Sequence, residues 1–164
     1  MSDADFEFKE PKITGLGGWL IVVAIGLILS PFWIAFTLLT LHLPIFTDGT
    51  FALLTSTSSE YFTPGFSLLM SYEVLGNLIL FFFVVYLLYL FFSKSKSFPL
   101  FFIYSRVGYL VFILLDIIFA KVVFPSETVF DPVTAREVFQ AIFGAAIWIP
   151  YMLRSKRVKN TFIS

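Results

Sequence analysis

The chain has 164 residues, is 59% hydrophobic and only 13% charged, and its 11 basic and 11 acidic residues cancel. Soluble domains carry about 25% charged residues, and a soluble core of this size cannot hide 23 phenylalanines, so an ordinary soluble domain is excluded. With no cysteine, disulfides, thiolate nucleophiles and thiolate metal sites are excluded as well.

The N-terminal tail is acidic (Asp3, Asp5, Glu7, Glu10), which together with the length of the apolar run that follows argues against a cleaved signal peptide. Leu16–Leu43 is that first run, and Phe66–Phe92, Phe98–Phe124 and Ala135–Leu153 are the others. Each matches the ~20 residues that a helix rising 1.5 Å per residue needs to cross ~30 Å of hydrocarbon. The prediction is an all-α, four-transmembrane-helix bundle, a single integral membrane domain filling 1–164, with spans near 16–43, 66–92, 98–124 and 135–153.

In the first span, Trp19 suits a headgroup level, and Ser30-Pro31 predicts a kink rather than a break, since membrane helices tolerate proline. Pro44 and Asp48-Gly49 are read as its outer end. In the 44–65 connection, Phe51–Leu54 is too short to cross and is expected to rest on the outer surface. Ser93-Lys94-Ser95-Lys96-Ser97 reads as a tight basic link, with Pro99 opening the third helix. Pro125-Ser126-Glu127 closes that helix. Trp148, Tyr151 and the basic tail anchor the fourth.

Lysine and arginine placement sets the orientation. Lys9, Lys12, Lys94, Lys96, Arg154, Lys156, Arg157 and Lys159 flank one side, against Lys121 and Arg136 on the other. That places both termini and the 93–97 link in the cytoplasm.

Ionisable groups inside spans are the first place to look for function. Glu73 and Asn77 share a face of the second span, with Glu73 about 10 Å below the outer surface by helical rise. Asp116 lies roughly 27 Å from the cytoplasmic side of the third span. Arg136 and Gln140 form an i,i+4 pair entering the fourth, and Lys121 and Glu137 stand at similar height. The candidate intramembrane polar cluster is therefore Glu73, Asn77, Asp116, Arg136 and Gln140. Its preferred reading is structural: an ion-paired network that fixes helix register. The functional reading is a pocket or proton-accessible site. Arg106, about 12 Å from the cytoplasmic face, is expected to snorkel toward that face. His42 is read as an interfacial polar group, because no second histidine or cysteine completes a zinc set. Small residues at Gly26/Ser30 and Ala141/Ala145 are read as sites of close helix approach. Lys156–Lys159 suits anionic lipid, although the positive-inside bias alone accounts for it.

There is no Gly-rich phosphate loop, nucleophile elbow or His-Glu-x-x-His, so no catalytic residue, metal or cofactor is expected. The basic tail is too short for nucleic-acid binding.

The two ends carry a signature. Gly17-Gly18-Trp19-Leu20 opens the first span, and Trp148-Ile149-Pro150-Tyr151 leads into Ser155-Lys156-Arg157-Val158-Lys159-Asn160-Thr161-Phe162. The tail residues Trp148, Pro150, Tyr151, Ser155, Lys156, Arg157, Val158, Thr161 and Phe162 make the chain resemble the bacterial membrane family known as domain of unknown function 2569. The resemblance implies a multi-pass protein of the bacterial cytoplasmic membrane and supplies no catalytic residues. Pro150 is expected to free a carbonyl near the helix end, leaving Arg157 and Lys159 to dock on the cytoplasmic loop or a lipid phosphate. The expected role is a non-enzymatic accessory or interaction protein whose partners are the lipid bilayer and a membrane protein or a second copy. The alternative is a small-solute or proton-coupled transporter acting as an oligomer.

Overall fold

A computed structural model describes residues 14–163 and is all-helical over them. The acidic tail with Lys9 and Lys12 lies outside the described residues. The helices are α1 (Trp19–Thr37), α2 (Leu43–Thr47), α3 (Thr50–Thr55), α4 (Phe66–Phe92), α5 (Phe98–Val123), α6 (Pro132–Arg154) and α7 (Lys156–Thr161). A π-helical turn, Leu38–His42, joins α1 to α2. Among the described residues two helices are long and apolar enough to cross a membrane by length and composition: the continuous Trp19–Thr47 and α4.

The first helix outruns its expected bounds at its C-terminal end, running on to Thr47. It passes through Pro31 unbroken, with the Ser30 hydroxyl donating to the Gly26 carbonyl at 2.6 Å. It also passes through Pro44. A proline ring clashes with the carbonyl four residues back, and the wider π turn immediately before Pro44 opens the ladder where that clash would fall. Gly49, with φ 88°, terminates the run instead, because only glycine enters the left-handed region without cost. The fourth helix starts at Pro132, three residues earlier than expected. There the Asp131 carboxylate caps it by accepting from the Thr134 N–H at 2.8 Å, a capping signal followed by proline at the first turn.

The 93–97 link is as tight as its composition predicts. The N–H groups of Lys94 and Ser95 donate to Phe91 and Leu90 at 3.1 and 3.0 Å, which closes α4 with a Schellman motif. Lys94 occupies the left-handed position at φ 53°, where glycine is the usual residue.

α1 packs on α4, α4 on α5 and α5 on α6, in a row. The chain reverses between successive long helices, so the start of α1, the end of α4, the start of α5 and the end of α6 meet at one end. This tail end holds Leu20, Leu27, Leu87, Phe91, Phe98, Phe102, Met152, Val158 and Phe162, all buried in one cluster. The opposite, loop end holds a smaller cluster of Phe66, Leu69 and Met70. Phe51 and Leu54 of α3 pack against it, so this segment covers the helix ends. α6 contributes nothing to that second cluster.

Close approach of α4 and α5 occurs at Gly76, and it is absent at Gly26. A Cβ at Gly26 would meet nothing within 4 Å, whereas one at Gly76 would collide with the Phe112 ring. Gly76 thus lets Phe112 of α5 lie against α4. Tyr72, one turn earlier, stacks on that ring and donates its hydroxyl to the Phe112 carbonyl at 2.8 Å.

Candidate functional site: a polar interior at the loop end and a closed tail end

Between the two apolar clusters the helices turn ionisable groups toward one another. His42 comes from the π turn, whose single extra residue rotates the face that follows by about 100° at 3.6 residues per turn. The histidine is buried, 7% exposed. Its Nε2 lies 3.0 Å from Glu73 Oε2 of α4, and its Nδ1 is 3.4 Å from the Thr37 carbonyl oxygen. His42 is therefore an interior partner, correcting the expectation of an interfacial group. The missed signal is His42-Leu43-Pro44: a proline two residues on forces the local unwinding that swings the ring inward.

Glu73 and Asp116 are within electrostatic reach of each other, as predicted, and Asp116 also feels His42 and Glu137. The rest of the predicted cluster separates. Asn77 donates to the Glu73 backbone carbonyl at 2.9 Å and not to its carboxylate. Arg136 is exposed and forms no ion pair among the described residues, where the salt bridge is His42–Glu73. Its neighbour Glu137, about 100° further round the helix, faces α5. Lys121 donates to the Pro125 and Glu127 carbonyls at 2.7 and 3.1 Å and ties down the connection after α5. Asp116 Oδ1 is buried and has no hydrogen-bond partner, so the expected fully paired network is not formed.

Arg106 reaches back along α5 toward the tail end. Its guanidinium carbon sits 4.8 Å from the Phe102 ring centroid, and its Nε is buried without a hydrogen-bond partner. With Tyr109 of α5 and Glu137, Gln140, Ala141 and Gly144 of α6 it lines a cleft of about 190 Å³. Arg106, Tyr109, Ile113 and Asp116 recur at three- and four-residue spacing, as do Glu137, Gln140, Ala141 and Gly144. These are two helical faces legible in the sequence, of which only Asp116 and Gln140 belonged to the expected cluster. Among the described residues no group of three or more His, Asp or Glu could hold a metal ion.

The signature residues of the two termini meet at the tail end. Ser155 breaks α6 in an extended conformation, and its Oγ accepts from Val158 N–H at 3.4 Å, capping α7. α7 then folds back under the bundle. Val158 is 1% and Phe162 is 5% exposed; the Phe162 ring stacks on Phe98 at 4.6 Å and meets Phe91 at 5.7 Å. Thr161 Oγ1 accepts from Gly15 N–H at 2.9 Å and donates to Gly15 O at 3.3 Å. Arg157 lies on the Gly17–Gly18 turn, where a Cβ at Gly17 would fall 2.7 Å from its Nη1. Trp19 and Trp148 touch edge to face at 6.4 Å, and Trp148 meets Tyr151 at 5.8 Å. Arg157 thus docks on the Gly-Gly turn, not on the 93–97 loop, while Lys156 and Lys159 stay exposed. Pro150 lies within α6, on its exposed side.

A family model described as protein of unknown function (DUF2569) matches residues 13–163, and the chain belongs to that family. No curated protein and no solved structure matches it.

Proposed function

We propose that the chain is an integral membrane protein crossing the bilayer four times, with both termini and the 93–97 link in the cytoplasm. In this reading it is a non-enzymatic accessory or interaction protein of the bacterial cytoplasmic membrane. The observation that carries the membrane assignment is the inverted surface of α5. Leu100, Val107, Val111, Leu114, Leu115, Ile118 and Val122 are exposed, while Arg106 and Asp116 are drawn partly inside. Water selects the opposite arrangement, and lipid selects this one. At 1.5 Å per residue, α5 and α6 are about 39 and 34 Å long, enough to span beside the two more apolar helices. The bacterial setting rests on the family resemblance alone.

Single cysteines and an impermeant thiol reagent test the topology. Thr57→Cys is expected to label in intact cells, and Ser95→Cys only after permeabilisation; the reverse overturns the orientation. Co-purification in mild detergent with mass spectrometry is expected to return a stoichiometric membrane partner or a second copy.

One observation favours a second reading, proton- or solute-coupled transport by an oligomer: the unpartnered Asp116 oxygen beside the His42–Glu73 pair. Gradient-driven flux in proteoliposomes, present in the parent and lost in a folded Glu73→Gln variant, would replace the accessory role with this one. No flux is expected.

A further inference from the structure

We infer that the α5–α6 cleft is a binding site for a compact zwitterion, a group joining a phosphate or carboxylate to an ammonium a few bonds away. The cleft presents one cation, Arg106, from α5 and one anion, Glu137, from α6, and Tyr109 and Gln140 also line it. The two charges form no salt bridge, although they line the same cleft. Glu137 and Gly144 are seven residues apart, so the cleft runs about 10 Å along α6. Its 190 Å³ equals the liquid volume of about six waters.

The charge pattern selects the ligand class. A simple anion would meet Arg106 but also the field of Glu137, with Asp116 and Glu73 beyond it. A simple cation would satisfy Glu137 and leave Arg106 unpaired in a partly desolvated position. Leaving the partly buried Arg106 uncompensated is costly, whereas the exposed Glu137 acts on a simple anion through its repulsive field alone. A zwitterion satisfies both walls, its oxyanion accepting from the guanidinium, whose Nε is otherwise unpartnered, and its ammonium donating toward Glu137 and the Gln140 carbonyl. Arginine suits the oxyanion end because its planar fork matches phosphate and carboxylate oxygens. Phosphoethanolamine embodies this chemistry. It can arrive as a lipid headgroup through the open side of the cleft, where Glu137 and Gln140 are exposed, or as a free solute.

The glycine supplies a clean test. A Cβ at Gly144 would meet nothing within 4 Å, so a side chain can start there, and Gly144→Leu is chosen to fill the cleft that Gly144 lines. Delipidated full-length protein would be titrated with O-phosphoethanolamine by calorimetry, and with phosphatidylethanolamine and phosphatidylglycerol by native mass spectrometry. Melting temperature would serve as the folding control. Saturable binding of either ethanolamine probe is expected, the one that binds naming the source. Gly144→Leu should abolish it, and Arg106→Gln should weaken it by about tenfold or more. Glu137→Gln, near-isosteric and exposed, should erase the preference for phosphatidylethanolamine over phosphatidylglycerol. The inference is overturned if neither ethanolamine probe binds, if folded Gly144→Leu binds like the parent, or if the parent takes both lipids equally.

Discussion

The tail end and the loop end of this bundle are built from similar residues and behave as opposites. At the tail end three phenylalanines, Phe91, Phe98 and Phe162, meet ring on ring, and α7 closes the space beneath four helices. At the loop end α6 stands apart from the apolar cluster, and the interior between helices holds His42, Glu73 and Asp116. In the proposed bilayer setting lipid already solvates apolar side chains, so burying one phenylalanine more would gain less than in water, and packing would carry the difference. The difference places mechanical integrity at one end and chemical potential at the other. A mutation should therefore be read by its end before it is read by its residue type.

The sharpest way to break this comparison is to empty one side chain from each cluster. Phe98→Ala removes a fully buried ring at the tail end and should cost about 3–5 kcal/mol, the range for buried phenylalanine truncation in soluble proteins. Phe66→Ala at the loop end should cost less, because its cluster is smaller and its neighbours α2 and α3 are short. Melting in detergent reads both. Equal losses would mean the two ends are packed alike.

Next in size is the interior pair. His42→Ala leaves the half-buried Glu73 without its partner, and a hydrogen bond to a charged group is worth about 1.5–3 kcal/mol. Arg136→Ala should then melt close to Arg154→Ala, since neither exposed arginine is ion-paired among the described residues. If Arg136→Ala proves as damaging as His42→Ala, the loop end is held by a different network. A comparable probe of the tail end is Thr161→Val, which keeps the shape but leaves Gly15 N–H without its acceptor. The expected loss is about 1–3 kcal/mol.

These assignments show what could be read from residues alone. The four long helices were legible because apolar runs and turn residues are local signals, and the bounds of α4 fell where predicted. The closed tail end was half legible: Val158, Thr161 and Phe162 stood out as a motif, but nothing in a linear pattern says that Thr161 reaches Gly15, 146 positions away. The polar interior was least legible. Glu73 and Asp116 were found because charges in apolar runs are rare, yet their partner was misassigned. The choice among His42, Arg136 and Glu137 depends on rotations of about 100°, which one π turn or an earlier helix start reverses.

The smallest effect belongs to the cap of α6, and it separates the ends through pH. Asp131 is fully exposed, and the backbone N–H of Thr134 bonds its carboxylate and holds it below the usual carboxylate range. A carboxyl depressed in the folded state contributes stability above its unfolded pKa of about 4, and that contribution is lost as pH falls through the folded value. Asp48 is lowered in the same way by Thr50 N–H, so both such groups lie at the loop end. Asparagine caps a helix about as well as aspartate but does not titrate. Asp131→Asn should therefore melt almost like the parent at pH 7, and the small gap between them should shrink as the pH is lowered below 4. Asp131→Ala should melt lower than either at pH 7. Because α6 lacks an apolar anchor at this end, the cap is what fixes its first turn, and hydrogen exchange there should quicken in Asp131→Ala while exchange in α7 stays unchanged. Quickened exchange in both helices would mean that the two ends unfold as one unit, and the comparison between them would fail.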